Sequence, residues 1–298
     1  MQRFYERQGL KPFRNYSIMI YNKPATKEVE KEKEVAAEPP KAEVPQEIIP
    51  ASAAAAGRRM TILVMGAHIG DAEITGGLLA TKYARAGHRV VMLHMTAGEK
   101  GNPRMDDQVY RAQRIKEAEA SAAIFGAERC IVLDHKDGEL MAEQATFLQV
   151  CDIVREEKPD IIFTHWRGSF HRDHRNTYTA SMEGSFLAAL PGIKRELPAH
   201  CIRGLYYLEN WEDMEDFKPD FWVDIDTETY DAWVRGCQAH QLLRGEVSFQ
   251  YLQYYCGLAA KRGAEVGKKF AVCVSLPPIS RKRRVDFLPV DTEPVLVF

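Results

Sequence analysis

The chain has 298 residues, of which 45% are hydrophobic, and its 42 acidic side chains nearly balance its 40 basic ones. A net charge of −2 gives no overall field that would favour nucleic acid or an anionic membrane as a partner. No apolar stretch approaches the roughly 18 residues of a membrane-spanning helix, and the N-terminus lacks the apolar centre of a signal peptide. We therefore expect a cytoplasmic protein without a membrane span.

The cysteines and the late basic cluster add two further exclusions. The six cysteines are scattered and form no Cys-x-x-Cys pair, which predicts free thiols rather than disulfides or a cysteine zinc site. The cluster RKRR at 281–284 has no aromatic residues interleaved with it, so we do not expect it to bind nucleic acid.

Three regions follow one another along the chain. Residues 1–25 contain NYSIMIY, which is either a short strand or a docking peptide. Residues 26–57 are Glu, Lys, Pro and Ala with almost no large apolar side chain, a composition that predicts a disordered linker. Residues 58–298 carry the alternating apolar and amphipathic pattern of a folded domain.

In that domain, predicted strands alternate with predicted helices. Strands are expected at MTILVMGA, HRVVMLHMT, RCIVLD and IIFTHW, and later near GLYYLE and FWVDI. Helices are expected at AEITGGLLATKYARAG, DDQVYRAQRIKEAEASAAIFGA, TFLQVCDIVREEKPD and TYTASMEGSFLAAL. The alternation predicts an α/β, Rossmann-like doubly wound domain with a mainly parallel sheet and helices on both faces. The doubly wound habit favours a strand order that begins 3-2-1-4.

The segment GAHIGDAE at 66–73 leaves the first strand and places His68 three residues before Asp71. One interpretation is a turn, in which Gly70 permits a sharp bend and Asp71 caps the next helix. The other is half of a metal site, which needs a further ligand from elsewhere in the chain.

The segment THWRGSFHRDHRNTY at 164–178 follows the fourth strand and holds His171, Asp173 and His174. In a 3-2-1-4 sheet the first and fourth strands are neighbours, and ligands bind beyond their carboxyl ends at that switch point. Two imidazoles and one carboxylate from these two segments would form a three-ligand site with open positions, the catalytic type of zinc site. Such a ligand set also accepts other divalent cations.

These motifs resemble those of the PIG-L/LmbE-type zinc-dependent de-N-acetylases over about residues 59–275. That family carries A-H-P-D-D-(x)-E after the first strand, matched here by AHIGDAE, and H-x-D-H after the fourth, matched by HRDH. Weaker similarities are TAGEKGN at 96–102 and the Arg114 and Glu117 pair in the second helix.

The resemblance implies a Zn²⁺ enzyme that removes an N-acetyl group from a small amino-sugar or glycoconjugate of the N-acetylglucosamine type. It implies that His68, Asp71 and His174 bind the metal. It further implies that His171, if protonated, stabilises the oxyanion and that Asp173 orients or tunes a histidine. Zinc would lower the pKa of its water to about 7 and polarise the acetamide carbonyl.

Gly70 departs from the family pattern, because the family has an aspartate there that acts as general base. We expect Glu99 to replace it, with Asp173 and Glu73 as alternatives. If no group replaces it, the chain would be a catalytically weak or inactive metal- and sugar-binding module. Three residues in the loops after the second and fourth strands are expected to bind substrate: Asn102, Arg104 and Arg167. A homo-oligomer remains open.

Overall fold

The computed structural model describes residues 10–12, 19–21, 58–213 and 217–278. The chain divides into two units, Met1–Ala53 and Ala54–Phe298. In the first unit, strand β1 (Leu10–Pro12) pairs antiparallel with β2 (Met19–Tyr21), so the end of NYSIMIY is a strand. The predicted linker at 26–57 and the basic cluster at 281–284 lie outside the described residues.

The second unit contains the predicted alternation of strands and helices. Its strands are β3 (Thr61–His68), β4 (Arg89–Thr96), β5 (Arg129–His135), β6 (Ile161–His165), β7 (Gly204–Leu208), β8 (Phe221–Ile225) and β9 (Phe270–Ser275). Its α-helices are α1 (Asp71–Arg85), α2 (Asp107–Phe125), α3 (Gln144–Glu157), α4 (Arg172–Ala189), α5 (Thr227–Cys237) and α6 (Tyr251–Ala264), and a 3₁₀ turn spans Glu99–Gly101.

The sheet has seven strands in the order β5-β4-β3-β6-β7-β9-β8. Strands β3 to β7 are all parallel to one another, whereas β9 pairs antiparallel with both β7 and β8. The predicted 3-2-1-4 order is confirmed, because β5, β4, β3 and β6 are the first four strands of this unit in that arrangement. The switch point therefore lies between β3 and β6.

Helices cover both faces of the sheet, as predicted. Ile62 and Val64 of β3 belong to one apolar core, with residues of α1, α2, α5 and α6. Leu63 and Met65 point the other way and belong to a second core, with residues of α3 and α4. Burying each such side chain contributes about 1.5–3 kcal/mol, so the two cores fix the register of the strand that carries His68.

One helix begins earlier than its apolar pattern indicates. The sequence predicts a helix from residue 177, but α4 starts at Arg172 and its first turn contains Asp173 and His174. The first turn is polar, so it carries no amphipathic signal that would place it in the helix. His171 is the N-cap residue, and its Nδ1 accepts a hydrogen bond from the backbone N–H of Asp173 at 3.2 Å.

The described residues bear on two expectations from the sequence, the state of the cysteines and the lack of a membrane-spanning helix. All six cysteines are free thiols, in agreement with the sequence. In the part of the chain that the structure describes, no helix combines the length and the hydrophobicity needed to cross a bilayer.

Candidate metal centre

Side chains from the two predicted segments meet at the switch point of the sheet. His68 ends β3, Asp71 begins α1, and His174 lies in the first turn of α4. Asp71 Oδ2 is 3.0 Å from His68 Nδ1 and 3.2 Å from His174 Nε2, and the two ring nitrogens are 3.3 Å apart. The two distant loops therefore converge on one point.

The spacing of these three atoms matches a metal site. Zinc bonds of about 2.0–2.1 Å in a tetrahedron place neighbouring ligand atoms about 3.3–3.4 Å apart. The three side chains are 3 to 19% exposed, so they are shielded but still accessible from one side. The structure also brings His171 within reach of His68 and His174 in a second grouping with metal-binding spacing.

The turn between β3 and α1 depends on glycine at position 70. Gly70 has φ of +105°, a conformation that L-residues rarely adopt, and its N–H donates to Glu73 Oε2 at 2.8 Å. A Cβ atom at this position would lie 3.0 Å from Nη2 of the buried Arg114. The bend of the turn interpretation is thus present alongside the metal-site geometry, but its cap is wrong: Gly70 is the N-cap residue of α1, and the Asp71 carboxylate accepts the backbone N–H of His68 instead. Glu73 is fully buried and holds the turn, so it does not face the cavity described below.

Carboxylates hold the far nitrogen of His68. Its Nε2 is 3.2 Å from Asp137 Oδ1 and 3.3 Å from Asp173 Oδ2. Burial opposes the charge on His68, but Asp71 and these hydrogen bonds outweigh burial and raise its pKa well above the usual value. An Nε2–H that donates to carboxylates leaves Nδ1 to bind a cation, the arrangement expected around metal-ligating histidines.

The far nitrogen of His174 has polar partners as well. Its Nδ1 is 3.2 Å from Ser169 Oγ, 3.2 Å from Asn210 Nδ2 and 3.3 Å from Glu212 Oε2. Burial lowers the pKa of His174 to about 3, which favours the neutral ring. In the tautomer that donates Nδ1–H to Glu212, the Nε2 lone pair is available to a metal. Burial and the nearby Asp71 raise the pKa of Glu212 to about 7.

His165 is a further histidine that the sequence analysis did not single out. Its ring stacks on that of His174 with centroids 4.1 Å apart, and its Nε2 accepts the N–H of Ala67 at 2.9 Å. The same Nε2 is 3.4 Å from Asp71 Oδ2. Its position at the carboxyl end of β6 is the signal that would have found it.

His171 faces His68, with ring centroids 4.7 Å apart. Burial and the charge on His68 lower the pKa of His171, which favours the neutral ring at neutral pH over the protonated form considered from the sequence. Because its Nδ1 accepts the N–H of Asp173, a neutral His171 carries its proton on Nε2 and remains a hydrogen-bond donor.

A cavity of about 150 Å³ opens beside this cluster. Among the described residues, the carboxylates that line it are Asp71, Asp137 and Glu212, and Arg114 supplies a cation. Glu99 is not among the lining residues; it is buried, and its Oε1 accepts the N–H of Asp137 at 2.9 Å. Glu99 therefore supports the loop that carries Asp137. The sequence analysis does not single out Asp137, although it follows the carboxyl end of β5, where parallel sheets bind ligands.

The three residues predicted to bind substrate do not line this cavity. Asn102 is buried and its Oδ1 accepts the N–H of Arg104 at 3.1 Å. Arg104 is exposed and donates to the backbone oxygen of Glu246 at 2.8 Å. Arg167 is exposed and lies over the ring of Trp166 at 5.1 Å. Their contact with a substrate stays a prediction.

Comparison with known proteins bears on the same segments. Residues 63–184, which contain both histidine motifs, match the family described as PIG-L: GlcNAc-PI de-N-acetylase. This part of the chain is similar to that family. The resemblance drawn from AHIGDAE and HRDH is therefore confirmed. A diacetylchitobiose deacetylase from Thermococcus kodakarensis is 26% identical to the chain over 194 residues, which is 60% of this chain and 68% of that protein.

Solved structures share the fold of this chain. The N,N'-diacetylchitobiose deacetylase from Pyrococcus horikoshii has a TM-score of 0.64 and 22% identity, covering 74% of this chain and 84% of that one. GalB, the 4-carboxy-2-hydroxymuconate hydratase of Pseudomonas putida KT2440, has a TM-score of 0.68 and 20% identity, covering 77% of this chain and all of that one. Since a deacetylase and a hydratase share this architecture, the reaction must be argued from the site.

Proposed function

We propose that this chain is a metal-dependent N-deacetylase that removes the acetyl group from an amino sugar of the N-acetylglucosamine type. The observation that carries the proposal is the 3.0–3.3 Å spacing of His68 Nδ1, Asp71 Oδ2 and His174 Nε2. The family match and the similarity to a diacetylchitobiose deacetylase support the reaction and the substrate class. The cytoplasmic location expected from the sequence is part of this proposal.

The donor set fits zinc. Two imidazoles and a carboxylate are the ligands of catalytic zinc sites, and the far nitrogens of both histidines have carboxylate partners that fix their orientation. When bound, zinc supplies a water of lowered pKa and polarises the acetamide carbonyl. Other divalent ions that accept nitrogen and oxygen donors remain alternatives for the same ligands.

The protein's own residues have distinct tasks in this reaction. His171, through its Nε2–H, donates to the acetamide oxygen as negative charge develops there, which is the role of an oxyanion-hole donor. Asp173 holds His68 through Nε2 and positions His171 through its backbone N–H. Glu73 keeps the turn at Gly70 in place, and thereby the position of Asp71.

A proton acceptor other than residue 70 is required. Asp137 and Glu212 are the two cavity-lining carboxylates, among the described residues, that are not proposed ligands. We therefore assign the proton transfer to one of these two residues in preference to Glu99, whose carboxylate bonds to the Asp137 backbone. A proton acceptor of this kind contributes about 10²–10⁴ in rate.

The second candidate function is a metal- and sugar-binding module without efficient catalysis. The glycine at position 70 is the observation that favours it, since the family's base is absent. The two functions share the fold, the metal and the cavity, and they differ only in whether a carboxylate accepts the proton.

Acetate release separates the two. Zinc-loaded full chain is incubated with N-acetylglucosamine and its β-1,4 disaccharide, beside the His174→Ala and His200→Ala variants. His200 bonds to the backbone oxygen of Pro159 and serves as the control. We expect release by the wild type and His200→Ala but not by His174→Ala. Release that persists in His174→Ala would contradict the metal site, and tight metal binding without release would establish the binding module.

A further inference from the structure

Aromatic side chains form one side of the cavity and continue from it to the surface. We name the aromatic wall for its members, which are Phe170, Trp211, Phe249, Tyr251 and Tyr254. Trp211 and Tyr251 line the metal cavity, whereas Phe170 is 51% and Tyr254 is 41% exposed. The apolar surface is therefore continuous from the proposed metal ligands to solvent.

The rings of the wall brace one another. Trp211 and Phe249 stack with centroids 4.5 Å apart and planes 14° from parallel, and Phe170 and Tyr251 meet the indole edge-on at 6.1 Å each. Such pairs stabilise a fixed arrangement of rings beyond their buried area. A fixed, partly exposed aromatic surface beside a cavity is typical of a ligand site rather than of a core.

Trp211 is also tied to the metal centre. Its neighbours in the chain, Asn210 and Glu212, both contact Nδ1 of His174. The backbone N–H of Trp211 donates to the Tyr255 hydroxyl at 3.2 Å, and that hydroxyl donates to Asn210 Oδ1 at 3.0 Å. The indole is thus held at a set distance from the reacting group, as a subsite must be.

We propose that the aromatic wall is a subsite for a second sugar ring, attached to the one that loses its acetyl group. A pyranose presents C–H groups on its faces, and these are attracted to the negative π-face of an aromatic ring. Its hydroxyls lie at the ring edge, where Ser248, Glu212 and the tyrosine hydroxyls offer partners. An alkyl chain fits less well, because these polar groups interrupt the apolar surface and would be left unpaired. The inference rests on the proposed function and makes it more specific: the substrate is a di- or oligosaccharide.

Binding of products tests the subsite without relying on catalysis. Zinc-loaded full chain is titrated by calorimetry with glucosamine, with the β-1,4-linked glucosamine disaccharide, and with octyl glucosaminide. Because only the disaccharide has a second ring to place on the aromatic wall, we expect it to bind about tenfold more tightly than the monosaccharide. Octyl glucosaminide should gain less than the disaccharide does.

Variants test whether the aromatic wall causes the preference for the disaccharide. Trp211→Ala should lose the disaccharide preference, Trp211→Phe should keep most of it, and Phe186→Ala should keep all of it. Phe186 is 61% exposed on α4 and is the matched aromatic control. Zinc content and far-ultraviolet circular dichroism of each variant show whether His174 and the fold are unaffected. If Trp211→Ala fails to fold, the comparison is made with Trp211→Leu, which keeps apolar bulk but removes the ring.

The outcomes distinguish this inference from the proposed function. A Trp211-dependent disaccharide preference without acetate release from any sugar would retain the subsite and reject the deacetylase. Acetate release from monosaccharide and disaccharide with equal KM, unchanged in Trp211→Ala, would retain the deacetylase and overturn the subsite. Tighter binding of octyl glucosaminide than of the disaccharide would overturn the second sugar as occupant.

Discussion

The metal cluster and the aromatic wall lie side by side but are built differently. The proposed ligands come from the end of a buried strand and from the first turns of two helices, so the cores on both faces of the sheet fix them. The wall comes from Phe170 before α4, from Trp211 and Phe249 in irregular segments, and from Tyr251 and Tyr254 in the first turn of α6, and parts of it are exposed. We therefore expect the two regions to have separate effects on the reaction. Changes in the cluster should alter metal binding and kcat, and changes in the wall should alter KM.

The largest effect is expected from Asp71→Asn. The asparagine oxygen keeps the hydrogen bond from the His68 N–H, now 2.8 Å, so the turn should survive. Removing the carboxylate charge should weaken zinc binding by more than about 100-fold, beyond the loss typical of an outer-shell substitution. Competition with a zinc chelator measures it. Asp106→Asn at the cap of α2 is the control, and unchanged zinc affinity in Asp71→Asn would contradict the ligand assignment.

The carboxylates behind the ligands should show intermediate effects. Asp137→Asn and Glu212→Gln should each weaken zinc binding by about 10–100-fold, because they orient His68 and His174. At saturating zinc, the variant that has lost the proton acceptor should also lose about 10²–10⁴ in kcat. Acetate release over a range of zinc concentrations separates the two losses. Glu156→Gln, at an exposed ion pair, is the control, and a loss of kcat only in Glu99→Gln would restore the assignment made from the sequence.

Gly70→Asp tests whether the family's base can simply be put back. The positive φ and the contact with Arg114 predict a loss of about 1–3 kcal/mol in the free energy of unfolding, without a gain in kcat. Gly70→Ala should lose a similar amount, whereas Gly192→Ala, where a Cβ meets open space, should be near neutral. Urea denaturation measures all three. A large gain in kcat for Gly70→Asp would show that the native site lacks a proton acceptor.

The smallest effects are expected at the two exposed arginines. Arg104→Ala and Arg167→Ala should change KM by about twofold or less, since neither side chain lines the cavity. Trp211→Ala assayed beside them gives the contrast between the loop and the wall. A KM that rises tenfold in either arginine variant would place the substrate over that loop, as the sequence analysis predicts.

The strand order and the meeting of the two histidine segments could be predicted from the sequence, because buried strands have continuous apolar runs and parallel strands end at one edge. The same rule applies to His165, which ends β6, and to Asp137, which follows β5. Both residues lie outside the two histidine motifs, so no motif singles them out in the sequence.

Other features of the candidate site cannot be predicted from the local sequence. The preference for Asp137 over Glu99 depends on which side chain turns toward the cavity, and both lie in loops after adjacent strands. Trp211 and Glu212 follow β7, which pairs with β9 in an antiparallel arrangement that an alternation of parallel strands and helices does not predict. The helix α4 begins at Arg172 and not at the predicted residue 177, because its polar first turn faces the candidate site instead of the apolar core.

X-ray absorption at the zinc edge of the wild-type chain, loaded with one equivalent of zinc, tests the central claim most directly. The account predicts two imidazole nitrogens and oxygen donors at about 2.0–2.1 Å, with no sulfur. A sulfur shell at about 2.3 Å, or a chain that retains no zinc after gel filtration, would contradict the convergence of His68, Asp71 and His174 on one ion.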